Sequence, residues 1–290
     1  MIQHMSSDFQ LAFKTIRPSV VGIGYRDNSG FHFLGTGFLI DSSGWIMTNR
    51  HVLEPLVDKE HDKIEPRLNA TAFLFAQTKL EDNHFKNAGI QSIQIRQVIF
   101  PVDEVKKQQR PFPIPPGFQA VGILQPESAD IGLCKIDPND CPPEALPLKP
   151  VTIIDSADVT EGTPVGFLGF PGGLELLVPP ILASTSVIQL TPLLQTGVIA
   201  GILPYSGLPK PDAFVLDTYV NGGSSGSPLF GTDGQVIGVV YATRQQFHPL
   251  VVRNNSGNYE ASNDAGVLSP SSLGLAVPSA KFPKEISGAD

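Results

Sequence analysis

The sequence predicts an all-β protein made of many short strands. Gly and Pro together supply 55 of its 290 residues (28 Gly and 27 Pro), and this share of turn-forming residues is above the usual level. Only 17% of the residues are charged, which is below the usual ~25%. A chain of this length can bury a large core without a disulfide or metal staple. The composition therefore excludes intrinsic disorder and a coiled coil.

A short helix is predicted at the N-terminus. Ser6 is the expected N-cap, and Pro18 is expected to end the helix. The apolar residues between them recur at the helical period: Phe9, Ala12, Phe13 and Ile16. Everything after Pro18 favours strands and turns.

Short apolar runs bounded by Gly, Ser and Asp predict these strands. The predicted strands are 20–24, 35–40, 45–48, 129–136, 164–168, 197–203, 214–220, 228–230, 235–241 and 273–277. The segment 138–150 contains five prolines and is predicted to be a linker, because Pro cannot donate a hydrogen bond to a sheet. Two β-units are therefore expected, 1–137 and 151–290.

The segment 55–118 differs from its surroundings because it is charged and Pro-rich. Strand-like pieces remain within it at 72–76 and 90–100. We interpret the segment as an insertion of extended loops and a hairpin in the first unit.

The charge and hydropathy of the chain exclude several partners. The formal net charge is −8, and the main basic run is the short KKQQR at 106–110. Phosphate recognition needs concentrated positive charge, so neither nucleic acid nor an anionic membrane surface is an expected partner. No apolar run approaches the ~20 residues of a membrane-spanning helix, and the first 20 residues do not resemble a secretory leader.

The two cysteines, Cys134 and Cys141, are too few for a disulfide framework and fit a reducing compartment. We therefore expect a cytoplasmic protein, or a secreted or periplasmic one if a leader has been removed.

Three segments carry residue types suited to nucleophilic catalysis. His51 follows a predicted strand, Asp130 opens another, and Ser225 lies in a Gly-rich turn. A serine hydroxyl group is a weak nucleophile that needs an adjacent base, and the base needs an orienting acid. Glycine beside the serine allows backbone N–H groups to turn toward a developing oxyanion. The chain order His, Asp, Ser is one of the orders known for this chemistry.

These segments resemble those of the trypsin-like (chymotrypsin-fold) serine proteases, most closely the Deg/HtrA-type branch. The similar stretches are GTGFLID…GWIMTNRHV, SADIGLCKID and LDTYVNGGSSGSPLF. The resemblance implies two six-stranded antiparallel β-barrels packed side by side, with the active site between them. It also implies a serine endopeptidase that acts on polypeptides and needs no metal or cofactor. A PDZ domain is not expected, because the sequence ends soon after the last family-like strand.

The resemblance assigns a role to each candidate catalytic residue. His51 becomes the general base, Asp130 its orienting acid and Ser225 the nucleophile. The N–H groups of Gly223 and Ser225 would form the oxyanion hole, and the reaction would pass through an acyl-enzyme.

The resemblance also suggests where the substrate side chain binds. The candidate substrate-binding residues are Tyr219, Val220, Tyr241, Ala242 and Leu273. Tyr219 and Val220 stand where trypsin-like enzymes place the acid that selects Lys or Arg. We therefore expect a small or medium apolar residue before the scissile bond.

Three alternatives stay open at this point. The run 222–226 also matches the G-x-S-x-G turn of α/β-hydrolases, which would make Ser224 the nucleophile of an esterase. Asp103 or Asp137 could serve as the acid in place of Asp130. Ser227 replaces the Gly that the family commonly has there, which leaves a catalytically silent peptide-binding module as the alternative function.

Overall fold

Two closed six-stranded antiparallel β-barrels and a short N-terminal helix form the structure. This computed structural model describes residues 2–28, 30–60, 63–75, 90–101, 129–171, 192–204, 206–207, 210–253 and 259–283. The predicted all-β class and the two barrels are confirmed. No helix in these described ranges has the length and apolar character that crossing a membrane requires.

The first barrel closes through the strand order β1-β2-β3-β8-β7-β6, and a separate hairpin of β4 and β5 lies between β3 and β6 in the chain. A short helix, α2 (Arg50–Leu53), follows β3. The strands are β1 (Val20–Asp27), β2 (Gly30–Leu39), β3 (Trp45–Thr48), β4 (Val57–Glu60), β5 (Lys63–Pro66), β6 (Ala70–Phe75), β7 (Ile90–Ile99) and β8 (Gly132–Ile136).

The interpretation of 55–118 as an insertion is wrong for part of that segment. Strands β6 and β7 both fall within it, and they close the first barrel by pairing with β1 and β8. Strand β7 alternates buried and more exposed residues, since Ile93 and Ile95 are buried and Arg96 is exposed. Its polar face lowers the apolar content of the segment, although the other face belongs to the core. The separate hairpin of β4 and β5 also falls within the segment, and positions 61–62, 76–89 and 102–118 lie outside the described residues.

The second barrel closes through the order β10-β11-β14-β13-β12-β9. Its strands are β9 (Pro164–Gly169), β10 (Leu193–Leu203), β11 (Ala213–Leu216), β12 (Pro228–Phe230), β13 (Val236–Arg253) and β14 (Tyr259–Pro278). Strands β13 and β14 pair from Gly238↔Pro278 out to Arg253↔Tyr259, so they are much longer than the predicted 235–241 and 273–277. The residues beyond the predicted bounds mix polar and apolar types, whereas the two-stranded ribbon forms through backbone pairing.

The N-terminal helix, α1 (Ile2–Ile16), begins four residues before Ser6. Ser6 is therefore not its N-cap, because the apolar period continues back to Ile2. The helix packs on the second barrel, where the Phe9 ring meets the Phe230 ring edge-on with their centroids 6.5 Å apart. Its apolar face is thus buried by the half of the molecule that lies later in the chain.

The two barrels are joined by a shared apolar cluster. Its buried members come from both barrels and from α1, and they include Phe38, Met47, Leu133, Leu168, Phe170, Phe230 and Val239. Burial of one such side chain stabilises the fold by about 1.5–3 kcal/mol. The linker 138–150 contains two short 3₁₀ turns, Pro138–Asp140 and Pro143–Ala145, and it leads from one barrel to the other. The cluster fixes the barrels relative to each other and thereby positions the candidate residues described next.

Candidate active site

The short helix α2 presents His51 to solvent. Val52 and Leu53, the next two residues, are buried in the core of the first barrel, while the side chain of His51 is 47% exposed. The Arg50 guanidinium lies 5.2 Å from the centre of the Phe100 ring. One turn of helix is therefore anchored on its inner side and leaves the imidazole accessible.

Asp130 holds His51 through both of its carboxylate oxygens. Oδ2 lies 2.5 Å from His51 Nδ1, and Oδ1 accepts the His51 backbone N–H at 3.1 Å. An ionised carboxylate can only accept hydrogen bonds, so Nδ1 carries the proton of a neutral ring and Nε2 keeps its lone pair. This geometry leaves a base whose free nitrogen points away from Asp130.

Asn49 and Gly132 hold the Asp130 loop against α2. The buried Asn49 side chain donates from Nδ2 to the Asp130 carbonyl oxygen at 2.7 Å. A Cβ on Gly132 would lie 2.9 Å from Leu53 Cδ1 and 3.2 Å from Arg50 Cα, so a side chain there would push the loop away. Asn49 is not among the residues predicted from the sequence, although a polar residue directly after a buried strand is a signal for a functional role.

Ser225 lies in two consecutive tight turns. Ser224 N–H donates to the Asn221 carbonyl oxygen, and Ser227 N–H donates to that of Ser224, both at 3.0 Å. The third residue of each turn is a glycine with positive φ, 88° at Gly223 and 87° at Gly226. This is the type II arrangement, which favours glycine at that position. The glycines around the serine are therefore required by the backbone.

In the serine turn around the candidate nucleophile, residues 223–227, two N–H groups have no acceptor among the described residues. They belong to Gly223 and Ser225, whereas the N–H groups of Ser224, Gly226 and Ser227 are each hydrogen-bonded within the protein. Unpaired N–H groups close to a hydroxyl nucleophile are what an oxyanion requires. They are the same two groups that the resemblance assigns to the oxyanion hole.

The Ser225 hydroxyl group donates to the Tyr241 carbonyl oxygen at 3.2 Å. Within the described part of the chain, no hydrogen bond joins it to the His51 ring. Catalytic hydrogen bonds are often long or poorly aligned before a substrate binds.

The histidine and serine segments are nevertheless neighbours. A Cβ on Gly35 would lie 2.7 Å from a methyl group of Val52 and 2.9 Å from the Ser225 carbonyl oxygen. The pKa of the Tyr241 hydroxyl group is raised by burial and then by the charges of Asp130 and Asp212. Tyr241 therefore lies close enough to Asp130 to sense its charge, while its carbonyl group contacts Ser225.

The candidate substrate residues lie in different environments. Val220 is 2% exposed and Tyr219 is 42% exposed. A Cβ on Gly274 would lie 2.4 Å from a Val220 methyl group, so Val220 packs directly on the β14 backbone. Tyr241 and Leu273 are half-buried, and the side chain of Ala242 lies outside the described part of the structure.

The two alternative residues that the structure describes, Ser224 and Asp137, are not available for the roles considered for them. Ser224 is fully buried, and the turn leads into strand β12 instead of the helix that an α/β-hydrolase elbow requires. Asp137 accepts the Asn139 N–H at 2.9 Å in the first 3₁₀ turn of the linker. Asp103 lies outside the described residues.

A second histidine–aspartate pair occurs on the first barrel. His32 Nε2 lies 3.0 Å from Asp27 Oδ1, and the His32 ring stacks on Tyr25 with their centroids 4.5 Å apart. The spacing of His32 and Asp27 in the sequence had suggested no such pair. It offers an internal control for the pair at His51.

Comparisons with known proteins show which family this chain matches. Residues 35–239 match the family described as the trypsin-like peptidase domain. A curated relative, a probable periplasmic DegP-like serine endoprotease of Halomonas elongata, is 26% identical over 210 residues. The alignment covers 71% of this chain but only 28% of that relative, so the chain spans little more than a quarter of its length.

Two solved structures are similar to this chain. Deg5 is 22% identical, with a TM-score of 0.50 over 82% of this chain and 86% of that one. The Rv3671c protease of M. tuberculosis in its active form is 18% identical, with a TM-score of 0.49 over 93% of this chain and 80% of that one.

Proposed function

This chain belongs to the family of trypsin-like peptidases, and on that premise we propose that it is a serine endopeptidase with a triad of His51, Asp130 and Ser225. The observation that carries the proposal is the contact between both Asp130 oxygens and His51, beside a serine turn with two free N–H groups. The similarity to a DegP-like endoprotease supports the Deg/HtrA-type branch.

In the proposed mechanism, His51 Nε2 takes the proton of the Ser225 hydroxyl group as Ser225 attacks the peptide carbonyl carbon. Asp130 keeps the ring oriented and stabilises the imidazolium that forms. His51 then gives its proton to the leaving amine, and water hydrolyses the acyl-enzyme by the same route. The hydrogen bond of Ser225 to Tyr241 must be exchanged for one to His51 when the substrate enters.

The oxyanion of the tetrahedral intermediate is the second part of the proposal. Its charge would be met by the N–H groups of Gly223 and Ser225, which have no other acceptor in the described residues. One such donor typically contributes about 10²–10³ in turnover.

We also propose that a small or medium apolar residue precedes the scissile bond. Val220 is buried and packs on the β14 backbone beside Gly274, and no acid stands at Tyr219 or Val220 to attract Lys or Arg. Sequencing the new N-termini from a digested denatured protein tests this preference, and frequent cleavage after Lys or Arg would contradict it.

A fluorophosphonate probe tests the catalytic proposal directly. The wild-type protein should form a covalent adduct at Ser225 and cleave denatured protein. Ser225→Ala should abolish the adduct, and His51→Ala should lower turnover on the order of 10⁶-fold. His32→Ala is the matched control, because it removes the histidine of the other His–Asp pair and should leave turnover unchanged.

A catalytically silent peptide-binding module is the second candidate. One observation favours it, namely that the Ser225 hydroxyl group bonds to Tyr241 and not to His51 in the described residues. Its distinguishing result is peptide binding without an adduct at Ser225. The esterase alternative loses its support because Ser224 is fully buried.

The cellular location is a proposal as well. The name of the curated relative states a periplasmic protein, which supports the secreted or periplasmic alternative, whereas the cytoplasmic location stays a prediction from the sequence. Fractionation of cells that make the full-length protein, followed by labelling at Ser225, would decide between the two.

A further inference from the structure

We propose that Thr36 is a positioning residue that holds the oxyanion-forming peptides in place through its hydroxyl group. The inference rests on the proposed function, and it adds a residue that the triad and the oxyanion hole do not include. Thr36 lies on β2 of the first barrel, is fully buried, and contacts the serine turn of the second barrel.

The hydroxyl group of Thr36 connects two hydrogen bonds that run in one direction, from the Phe170 N–H to the Gly223 carbonyl oxygen. Phe170 N–H donates to Thr36 Oγ1 at 3.1 Å, and Thr36 Oγ1 lies 2.7 Å from the Gly223 carbonyl oxygen. An amide N–H can only donate and a carbonyl oxygen can only accept, so the hydroxyl proton must point to Gly223. Each bond of such a chain polarises the next and strengthens it.

The carbonyl group that accepts the second of these hydrogen bonds belongs to the peptide between Gly223 and Ser224. The other side of the same peptide is held too, because Ser224 N–H donates to the Asn221 carbonyl oxygen at 3.0 Å. This peptide joins the two peptides that carry the free N–H groups of Gly223 and Ser225. Its position therefore sets the separation and direction of both donors.

Thr36 also holds the backbone of the nucleophile. Its N–H donates to the Ser225 carbonyl oxygen at 2.8 Å, so one residue contacts the turn on both sides of the Ser225 N–H. The backbone bond would survive any substitution other than Pro, whereas the bond to Gly223 depends on the hydroxyl group. A substitution can therefore separate the two contacts.

The surroundings leave little space for water to replace the hydroxyl group. A Cβ on Gly169 would lie 3.0 Å from Thr36 Oγ1, and one on Gly226 would lie 1.9 Å from the Thr36 carbonyl oxygen. Valine has the shape of threonine without the hydroxyl group. Thr36→Val would therefore leave the Gly223 carbonyl and the Phe170 N–H without partners and without room for a bridging water.

The experiment compares Thr36→Val with the conservative Thr36→Ser and with Ser279→Ala. Ser279 is a matched control, because its buried hydroxyl group donates to the Ile154 carbonyl oxygen at 2.6 Å, away from the turn. For each protein we would measure kcat and KM on one peptide substrate, the inhibition constant of a peptide aldehyde, and Tm. The aldehyde forms a hemiacetal with the catalytic serine and places an oxygen in the oxyanion hole.

We expect Thr36→Val to lower kcat by about 10- to 100-fold with little change in KM, since both oxyanion donors lose their support. The affinity for the aldehyde should fall by the same factor as kcat/KM. Thr36→Ser should keep kcat within about threefold of wild type. Ser279→Ala should lower Tm and leave kcat unchanged.

A Thr36→Val protein with a lower Tm and a wild-type kcat would overturn the inference, since Thr36 would then act only on stability. If Thr36→Val does not fold, Thr36→Ala serves the same comparison, and failure of both to fold also overturns it. A wild-type protein without turnover and without an adduct at Ser225 defeats the proposed function, and the inference with it. An active wild type with an unaffected Thr36→Val defeats the inference alone.

Discussion

The two barrels build the candidate site in different ways. The first barrel contributes side chains, because His51 and Asp130 contact each other through a ring nitrogen and a carboxylate. The second barrel contributes backbone, because the serine turn offers two free N–H groups and is shaped by Gly223 and Gly226. The first half of the site is partly open to solvent, whereas the second half is packed against buried groups of β2.

This difference predicts how each half responds to substitution. A change in the first half should remove a chemical group and leave the fold intact, so the effect falls on turnover. A change at a turn glycine of the second half should disturb a crowded backbone, so its effect falls on the free energy of unfolding. The predictions below test this division in order of decreasing effect.

Among the predictions that follow, the largest effect is the loss of kcat expected for Asp130→Asn. Asparagine keeps the shape of the side chain, but its amide can hold His51 in the wrong tautomer, with Nδ1 as acceptor and the proton on Nε2. We expect kcat to fall by about 10⁴-fold with an unchanged Tm, measured by peptide hydrolysis and by thermal unfolding. Asp27→Asn, at the other His–Asp pair, should leave kcat unchanged, and a similar loss there would contradict the division of roles.

Gly226→Ala should have a large effect on stability. The φ of 87° disfavours any side chain, and the new Cβ would lie 1.9 Å from the Thr36 carbonyl oxygen. We expect the free energy of unfolding to fall by about 3 kcal/mol or more, measured by denaturant unfolding. Gly222→Ala is the matched control, because nothing lies within 4 Å of its Cβ. Equal losses in the two variants would show that the turn is not crowded.

Ser224→Ala and Ser227→Ala should each leave stability unchanged or raise it by up to about 1 kcal/mol. Within the described residues, both hydroxyl groups are buried and have no hydrogen-bond partner, so their removal relieves a desolvation penalty. The comparison is Ser19→Ala, whose buried hydroxyl group donates to the Lys149 carbonyl oxygen and whose loss should lower stability by about 1 kcal/mol. Denaturant unfolding measures all three, and a large loss for Ser227→Ala would mean that its hydroxyl group has a partner.

The smallest effect is expected for chemical modification of the two cysteines, which are both buried and not in a disulfide. Burial raises the pKa of the Cys134 thiol group far above its usual range. Burial, followed by the charges of Asp140 and Asp137, raises the pKa of the Cys141 thiol group. The thiolate is the reactive form, so iodoacetamide at pH 8 should modify neither residue in the native protein and both in urea. Rapid modification of native Cys141 would show that the linker opens while both barrels stay folded.

The sequence could predict the local chemistry of the site but not its long-range contacts. His51, Asp130 and Ser225 each stand in a short stretch whose neighbours explain them: a strand end, a strand start and a glycine turn. The contact of Thr36 with Gly223 spans 187 positions, and nothing near Thr36 signals it except a polar residue between two glycines of an apolar strand. The hydrogen bond from Ser225 to the Tyr241 carbonyl group could not be predicted either, because every residue has a backbone carbonyl group.

For the fold as well, the sequence predicted local elements but not the pairing of distant ones. Strands β3 and β12 match their predicted bounds because each is a buried apolar run. The membership of β6 and β7 in the first barrel was missed, since closure depends on the pairing of β6 with β1, which lies about fifty positions earlier. The N-terminal helix was placed in the first unit by its position in the chain, yet it packs on Phe230 of the second barrel.

The hydrogen bonds from Thr36 run from the first barrel to the second and end at the carbonyl oxygens of Gly223 and Ser225. A small separation of the two barrels would break these hydrogen bonds before either barrel unfolds. Peptide hydrolysis should therefore be lost at a lower denaturant concentration than most of the secondary structure. Partly unfolded molecules of the proposed peptidase should therefore be inactive.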